Sequence, residues 1–503
     1  MHPRSAADLI EALFDSFMAQ DFPADPADPI GWPGYADEVL LAQEEGVAES
    51  VVTGIGVIGE SNVAAAVFDF RFLGGSMGRD AGTRICHAMG TALARSIPFV
   101  AVTSSGGARM QEGMAALVQM PRTIAMSLEL AKAGIPRIGV LMNPTTGGVY
   151  ASFASLSDLL VAEARATIGF AGPRVVEVMT GHGLPDGSHT AEAALEAGLV
   201  DAVLEVDAIK AWLSTALGTL VGKPTGAVKP RGRHAKRLPS VSLDGSSLSR
   251  TDAWDEFRLA REERRPPPRF YIEHISPSLV ELRGDRAGAD DDAVFTALGR
   301  VSTERFGSGR PVMFIAFNKA RPDAHGFRKA RRAIETAGRL GLAIITFIDT
   351  PGAEPSHPSE YGGLASEISR TFAAILQVDV PVISIITGEG GSGGALSLAC
   401  GDVIGIQQHA VFSVIAPEAA TSILKKDISE VGVIASQLRP TALDLKNLGI
   451  ADYIIEEPAG GAHTDASAAA SILTRWIRVA LDETQQNPVS RAARFNKIND
   501  IRQ

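Results

Sequence analysis

SSGGAR (Ser104 to Arg109) and NPTTGGVYAS (Asn143 to Ser152) are two glycine-rich turns, and each ends an apolar run, IPFVAVT and PRIGVLM. The second half of the chain repeats this arrangement. DTPGAEP (Asp349 to Pro355) ends the run LAIITFI, and GEGGSGGALS (Gly388 to Ser397) ends PVISIIT. Two matched pairs of turns predict two related domains, with turns from both halves contributing to one active site.

The spacing within the two copies supports this interpretation. Ala108 and Gly148 are 40 positions apart in the first copy, and Ala353 and Gly394 are 41 positions apart in the second. Short β-branched runs alternate with Ala- and Leu-rich segments that we predict to be helical, such as 113–133 and 326–338, which is typical of parallel sheets covered by helices. The sequence therefore predicts an α/β fold in both halves.

The chain has 503 residues, too many for one ordinary core, and its composition changes to Pro, Gly, Ser and basic residues near its middle. We predict an N-terminal domain over 1–222, a linker over 223–251 and a C-terminal domain over 252–503, with a helix over 252–264. The net charge of -11 argues against a nucleic-acid-binding surface. Two cysteines, Cys86 and Cys400, indicate neither a zinc site nor a disulfide framework, and no apolar run predicts a membrane span. A cytoplasmic location is expected.

The turns themselves suggest the chemistry. A glycine-rich turn from a strand into a helix directs several backbone N–H groups at one point, where the helix dipole adds positive charge. Gly147, Gly148, Gly393 and Gly394 would let a substrate approach the backbone closely and would form oxyanion holes. Neither the G-x-G-x-x-G dinucleotide pattern in the first pair nor a G-x-x-x-x-G-K-[ST] phosphate loop is present.

A serine hydrolase is an alternative. GGSGG, from Gly390 to Gly394, matches the nucleophile elbow G-x-S-x-G with Ser392 at its centre, and Asp452 and His463 follow in hydrolase order. The elbow does not explain the turns of the first half.

At the glycine-rich turns and in the segments around them, the chain resembles the carboxyltransferase component of bacterial biotin-dependent acetyl-CoA carboxylase, as a fusion of its beta and alpha subunits. Residues from about 50 to 205 resemble the beta subunit, through FRFLGGSMG, SSGGARMQEG, NPTTGGVYASFASLSDL and ATIGFAGPRVVE. Residues from about 252 to 485 resemble the alpha subunit, through ELRGDRAGADDDA, PVMFIAFNKAR, FIDTPGAEP, GEGGSGGALSLACGD, VFSVIAPEAATSILKKD and EPAGGAH.

The resemblance implies two tandem crotonase-like domains, each a ββα superhelix. It implies that the N-terminal domain binds acyl-CoA, with Gly147 and Gly148 stabilising the thioester enolate. It implies that the C-terminal domain receives carboxybiotin, with Gly393 and Gly394 stabilising the ureido oxyanion left on biotin. The implied substrate-binding residues are Gly106, Gly107, Arg109 (as a partner for CoA phosphates), Gly352, Ala353 and Ala395.

The implied reaction moves a carboxyl group from carboxybiotin to an acyl-CoA, most simply acetyl-CoA to malonyl-CoA, as in fatty acid biosynthesis. The biotin nitrogen itself can take the α-proton, which would explain why no acid/base cluster is evident. No M-K-M biotinylation motif and no ATP-binding domain is found, so a biotin carboxyl carrier protein and a biotin carboxylase would be separate partners. The active site implied by resemblance uses two protomers and requires at least a homodimer. No metal site is predicted.

Three features depart from the family pattern. No cysteine precedes Cys86, so the usual zinc ribbon is missing. The segment after the PVM strand is usually longer and basic in the alpha subunit, whereas here Lys319 and Arg321 lead directly into PDAHGFRKA. EPSHPSEYGG (Glu354 to Gly363) replaces an acidic and arginine-containing stretch beside the expected carboxybiotin pocket. A propionyl-CoA-type carboxyltransferase, a malonyl-thioester or acyl-CoA decarboxylase component and an inactive scaffold remain alternatives.

Overall fold

The computed structural model of the chain describes residues 4–22, 28–172, 176–177, 187–197, 199–220, 251–303, 309–424, 426–486 and 491–499. The chain forms two compact units. The first comprises 1–231 together with 355–369, and the second comprises 232–354 together with 370–503. Each unit contains one eight-stranded sheet.

The sheet of the first unit has the strand order β1-β2-β3-β4-β5-β6-β8, and β7 lies beside the end of β5. The first three strands pair antiparallel, and the pairs from β3 to β8 are parallel. All seven residues of β4 are buried, as expected of a parallel strand covered on both faces. The strands are β1 Ser16–Ala19, β2 Val51–Ile58, β3 Ser61–Phe68, β4 Phe99–Ser105, β5 Arg137–Thr146, β6 Leu159–Glu163, β7 Ile168–Gly169 and β8 Ala202–Leu204.

Helices cover this sheet because their apolar faces complete its core. Leu9, Leu13 and Leu213 from two of the helices join Val100 and Val140 of the strands in one buried cluster. The α-helices of the first unit are Ala6–Leu13, Tyr35–Glu44, Arg79–Arg95, Met114–Leu117, Gln119–Lys132, Gly147–Val149, Ala191–Glu196, Val206–Leu220 and His357–Tyr361. The helix predicted over 113–133 is therefore divided in two.

The second sheet repeats the plan, with the order β16-β14-β13-β12-β11-β10-β9 and β15 beside the end of β13. The β9-β10 and β10-β11 pairs are antiparallel, and the remaining pairs are parallel. The two related sheets confirm the predicted α/β class of two tandem crotonase-like domains. The strands are β9 Val280–Glu281, β10 Val294–Val301, β11 Arg310–Asn318, β12 Ala343–Thr350, β13 Val382–Gly391, β14 Val403–Gln407, β15 Val411–Ser413 and β16 Tyr453–Ile455.

The core of the second unit joins Phe314, Phe347 and Ile385 of the strands to Leu473 and Ile477 of a long helix. The predicted helix over 326–338 is confirmed and extends over Ala324–Leu340, whereas the one predicted over 252–264 is shorter. The remaining helices are Ala253–Ala260, Pro268–Ile275, Leu364–Gln377, Ser392–Leu396, Pro417–Ile423, Val431–Gln437, Ala442–Asn447, Ala466–Gln486 and Arg491–Asn499.

One segment differs from the predicted domain assignment. Residues 355–369 lie within the predicted C-terminal domain but pack with the first unit. The predicted linker, except for Thr251, falls outside the described residues, so its bounds stay a prediction. Within the described residues, no helix is both long and apolar enough to cross a membrane.

Candidate active site

The two glycine-rich turns of the first unit lie against each other. β4 and β5 pair in parallel up to Thr103 and Leu141, then shift register so that Ser105 lies opposite Thr145. Both strands continue into glycines with positive φ, which is +115° at Gly107 and +63° at Gly147. A Cβ atom on Gly147 would lie 2.7 Å from the Cα atom of Gly107, so only glycine allows the two backbones to approach this closely.

Hydrogen bonds within the protein already occupy several amides of these turns. Gly106 N–H donates to the Gly74 carbonyl at 2.9 Å, and Gly107 N–H donates to Ser105 Oγ at 3.0 Å. Gly147 N–H donates to the Phe170 carbonyl at 2.8 Å, which removes it as a donor to substrate and corrects its predicted role. Gly148 is the second residue of the helix that begins at Gly147, a position whose N–H has no partner inside the helix.

Arg109 is almost completely buried, so the prediction that it binds CoA phosphates is wrong. It is 1% exposed. Its guanidinium forms ion pairs with Glu49 and with Glu112, the latter at 3.0 Å, and it donates to Tyr35 Oη at 3.1 Å. Its charge is neutralised by two carboxylates, Glu49 from 60 positions away and Glu112 from three residues further along the chain, so Arg109 is structural. The turn sequence alone gives no sign of the distant partners Glu49 and Tyr35.

The second unit has the same turn geometry at its own strand ends. β12 and β13 shift register so that Thr350 lies opposite Gly390. Gly352 has φ +124°, and its N–H donates to Thr350 Oγ1 at 3.1 Å, just as Gly107 donates to Ser105. Ser392 has φ +61° and begins the helix Ser392–Leu396, so it occupies the position of Gly147.

This correspondence changes the alignment of the two halves by one residue. Because Ser392 matches Gly147, Gly393 matches Gly148, and Gly394 matches Val149. Of the remaining predicted residues, Ala353 lies in the DTPGAEP turn and Ala395 lies in the GEGGSGGALS turn. Ala353 and Ala395 are 4% and 0% exposed, so both predicted substrate-binding residues have little or no accessible surface. A Cβ atom on Gly394 would lie 2.9 Å from Ala353 N, which shows how closely the two turns pack.

Charged groups lie around the paired turns of the second unit. Glu389 accepts two hydrogen bonds from Arg261, at 2.8 and 2.7 Å. Asp349 is 4% exposed and accepts from Glu389 N–H at 3.1 Å. Burial raises the pKa of Asp349 to about 7, against the opposing effects of Lys319 and Arg265.

Arg321 is the unusual cation of this turn. Its Nη1 atom is buried and has no hydrogen-bond partner within the described residues, and it would lie 3.8 Å from a Cβ atom on Gly352. Burial lowers the pKa of Arg321, while Glu354 and Glu389 act in the opposite direction. An unpartnered guanidinium nitrogen beside the turn suits an anionic ligand. The sequence pattern gave Arg321 no specific role.

The hydrolase arrangement is not assembled. Asp452 precedes β16, where its carboxylate accepts from Ile404 N–H at 2.8 Å and pairs with Arg494 at 2.7 Å. Ile404 lies opposite Ser384, and Ser392 follows Ser384 by eight residues along β13 and its turn. At about 3.3 Å per residue, Ser392 and Asp452 are on the order of 25 Å apart, at opposite ends of the sheet.

Comparison with known proteins agrees with this geometry. Residues 240–501 match the family described as acetyl co-enzyme A carboxylase carboxyltransferase-like, and residues 36–199 match the carboxyl transferase domain. The acetyl-coenzyme A carboxylase carboxyl transferase subunits beta/alpha of Salinispora tropica is 41% identical over 492 residues, covering 93% of this chain and 84% of the relative. The Saccharopolyspora erythraea relative of the same name is 37% identical over 497 residues, covering 95% and 85%.

A probable biotin-dependent acyl-coenzyme A carboxylase beta3 subunit of Mycobacterium bovis is 34% identical over 462 residues, covering 89% of this chain and 88% of the relative. The fold, the paired turns and these matches define a carboxyltransferase of the biotin-dependent acyl-CoA carboxylases. Within that class, the chain belongs to the acetyl-coenzyme A carboxylase carboxyltransferase family, as a fused beta/alpha polypeptide.

Proposed function

We propose that the protein transfers a carboxyl group from carboxybiotin on a separate carrier protein to acetyl-CoA, forming malonyl-CoA. The observation that carries this proposal is the repeated turn geometry, with left-handed residues at 107 and 147 in one unit and at 352 and 392 in the other. Each pair places amides at a helix start, where negative charge is stabilised. The choice of acetyl-CoA rests on the names of the most similar relatives.

In the first unit, Gly148 N–H is the donor we assign to the thioester oxygen. It lies at a helix start, and the neighbouring amides of Gly106, Gly107 and Gly147 are already bonded. One such donor is worth about 2.7–4 kcal/mol in the transition state. Gly147 and Gly107 then contribute backbone shape and not hydrogen bonds to substrate.

In the second unit, the amides of Gly393 and Gly394 form the group that we assign to carboxybiotin, together with Arg321 Nη1, which has no hydrogen-bond partner in the part of the chain that the structure describes. Bound carboxybiotin supplies the carboxyl group and a nitrogen that can accept the α-proton. The protein's own contribution is to hold both reactants and to stabilise negative charge, without a side-chain base. We further propose separate biotin carrier and biotin carboxylase partners, and at least a homodimer.

The test is the reverse reaction, in which purified protein is mixed with malonyl-CoA and biocytin and the release of acetyl-CoA is followed. Gly148→Pro removes one N–H and should lower turnover about 100-fold. Gly148→Ala is the matched control, because it keeps the N–H and its only tight contact would be the flexible Met120 side chain, at 3.1 Å, with Ala108 Cβ at an ordinary 3.6 Å. Gly394→Pro removes a donor from the second unit and should also lower turnover, by about 100-fold. Turnover with methylmalonyl-CoA but not with malonyl-CoA would change the proposed substrate to propionyl-CoA. No turnover with any acyl-CoA would refute the proposal.

A further inference from the structure

The segment 355–369 contains a buried carboxylate with an unexpected location. The sequence places this segment directly after the DTPGA turn of the second half, yet it packs with the first unit. Its helix His357–Tyr361 presents Glu360, which is 8% exposed. Burying a carboxylate is costly unless hydrogen-bond partners compensate for its lost hydration.

Those partners are two consecutive backbone amides. Glu360 Oε2 accepts from Phe170 N–H at 2.9 Å, and Glu360 Oε1 accepts from Ala171 N–H at 2.9 Å. The carbonyl of Phe170 accepts from Gly147 N–H at 2.8 Å. Phe170 is therefore held from both sides, by Glu360 through its N–H and by Gly147 through its carbonyl.

This chain of hydrogen bonds ends at the turn that must be placed most accurately. Gly147 is in the left-handed region and packs directly against Gly107, so a shift of Phe170 cannot be absorbed without moving one of the two turns. Gly148 follows immediately, and its N–H direction depends on the conformation of Gly147. An error of about 1 Å in such a donor can cost about 100-fold in rate.

The surroundings of Glu360 leave room for a substitution that tests its side chain. His189 Nε2 lies 3.7 Å from Glu360 Oε1, and Tyr150 Oη is buried nearby without a hydrogen-bond partner within the described residues. These side chains line a small cavity of about 30 Å³, enough for about two water molecules. A glutamine at position 360 would therefore fit without a clash.

We propose that Glu360 is a positioning residue for the first oxyanion turn: its carboxylate fixes Phe170 and Ala171, and Phe170 fixes Gly147. This inference rests on the proposed function of Gly148. It assigns to a segment of the alpha-like half a role in the acyl-CoA half of the reaction.

Glu360→Gln tests the proposal, because an amide can accept only one of the two N–H groups. We expect turnover per binding site to fall about tenfold or more, while the affinity for acetyl-CoA changes less than twofold, since only the transition state depends on the turn. Calorimetric titration with acetyl-CoA counts competent sites, so a loss of folded protein would lower the number of sites and not the turnover per site. Glu196→Gln, at an exposed position of the helix Ala191–Glu196, is the matched control and should behave as the unmodified protein.

Hydrogen exchange measured by mass spectrometry gives a readout that needs no activity. Glu360→Gln should speed exchange in the peptides that contain the Gly147 and Phe170 amides, relative to Glu196→Gln. If the glutamine variant does not fold, Glu360→Asp, whose carboxylate is withdrawn by one methylene, should show both effects. Unchanged exchange together with unchanged turnover per site would overturn the proposal. An inactive unmodified protein whose exchange still responds to Glu360→Gln would refute the proposed function alone.

Discussion

Gly107 and Gly147 pack backbone against backbone: a Cβ atom added to Gly147 would lie 2.7 Å from Gly107 Cα, and one added to Gly107 would lie 3.0 Å from Gly147 Cα. Both residues have positive φ. The contact joins the ends of two neighbouring parallel strands, which is where ligands bind in open α/β sheets. Glycine is thus required here for two separate reasons, conformation and space.

Gly147→Ala separates these reasons when it is compared with Gly341→Ala. Gly341 has φ +67° and open space around its missing Cβ, so its substitution costs only the left-handed strain, about 1–2 kcal/mol. Gly147→Ala meets the same strain and a backbone clash as well. We expect it to lose carboxyl transfer and more stability than Gly341→Ala, as measured by turnover and urea unfolding. Equal losses in the two variants would show that the contact with Gly107 is unimportant.

Ser392 has the left-handed conformation that Gly147 adopts in the other unit, without being glycine. Ser392→Gly should raise the free energy of unfolding by roughly 0.5–1 kcal/mol, because relief of about 1–2 kcal/mol of strain exceeds the roughly 0.5–1 kcal/mol that a more flexible glycine costs. Carboxyl transfer should continue in this variant, since no step uses Ser392 as a nucleophile. Labelling of the unmodified protein by a fluorophosphonate probe at Ser392, together with loss of activity in Ser392→Gly, would restore the hydrolase interpretation.

The turn around Ser392 shows what the sequence could and could not predict. The glycine-rich turns, their pairing and the α/β fold follow from local patterns of apolar runs and glycines. Alignment of the two halves by residue type, however, pairs Gly148 with Gly394, whereas the strand registers at Thr145 and Gly390 pair Gly148 with Gly393. The discrepancy arises because backbone conformation, and not residue type, defines the equivalent position.

Arg109 is a case where tertiary contacts determine a role that local sequence cannot show. Glu49 lies 60 positions away, and Tyr35 lies 74 positions away. Nothing in SSGGAR distinguishes an arginine that faces solvent from one enclosed by two carboxylates. Glu360 is similar, because its partners at positions 170 and 171 come from the other half of the sequence.

Arg109→Met should destabilise the protein by about 3–5 kcal/mol, because it leaves Glu49 and Glu112 buried without their cation. Lys132→Met is the matched control. Lys132 and Glu129 form an exposed pair, 60% and 48% accessible, whose loss should cost about 0–1 kcal/mol. Urea unfolding measures both variants. A raised KM for acyl-CoA in Arg109→Met with unchanged stability would instead support phosphate binding.

Asp349 makes stability depend on pH, and the sign follows from its environment. Its pKa is raised from 3.8 to about 7, mainly because burial penalises the ionised carboxylate. Between these values the native state holds a proton that the unfolded state has released, so the free energy of unfolding falls as pH rises. The stabilisation is fully present below about pH 4 and is lost as pH rises through about 7.

Asp349→Asn removes this ionisation and should therefore gain stability relative to the unmodified protein as pH rises from 5 to 8. Thermal unfolding at the two pH values measures the change, expressed as the difference in Tm between variant and unmodified protein. Asp427→Asn is the control: Asp427 is exposed and its pKa is lowered by Ser429, so its carboxylate is ionised in native and unfolded chains throughout this range. The Tm difference for Asp427→Asn should be constant from pH 5 to 8. An equally constant difference for Asp349→Asn would mean that Asp349 stays ionised in the native protein, with Lys319 and Arg265 compensating for its burial.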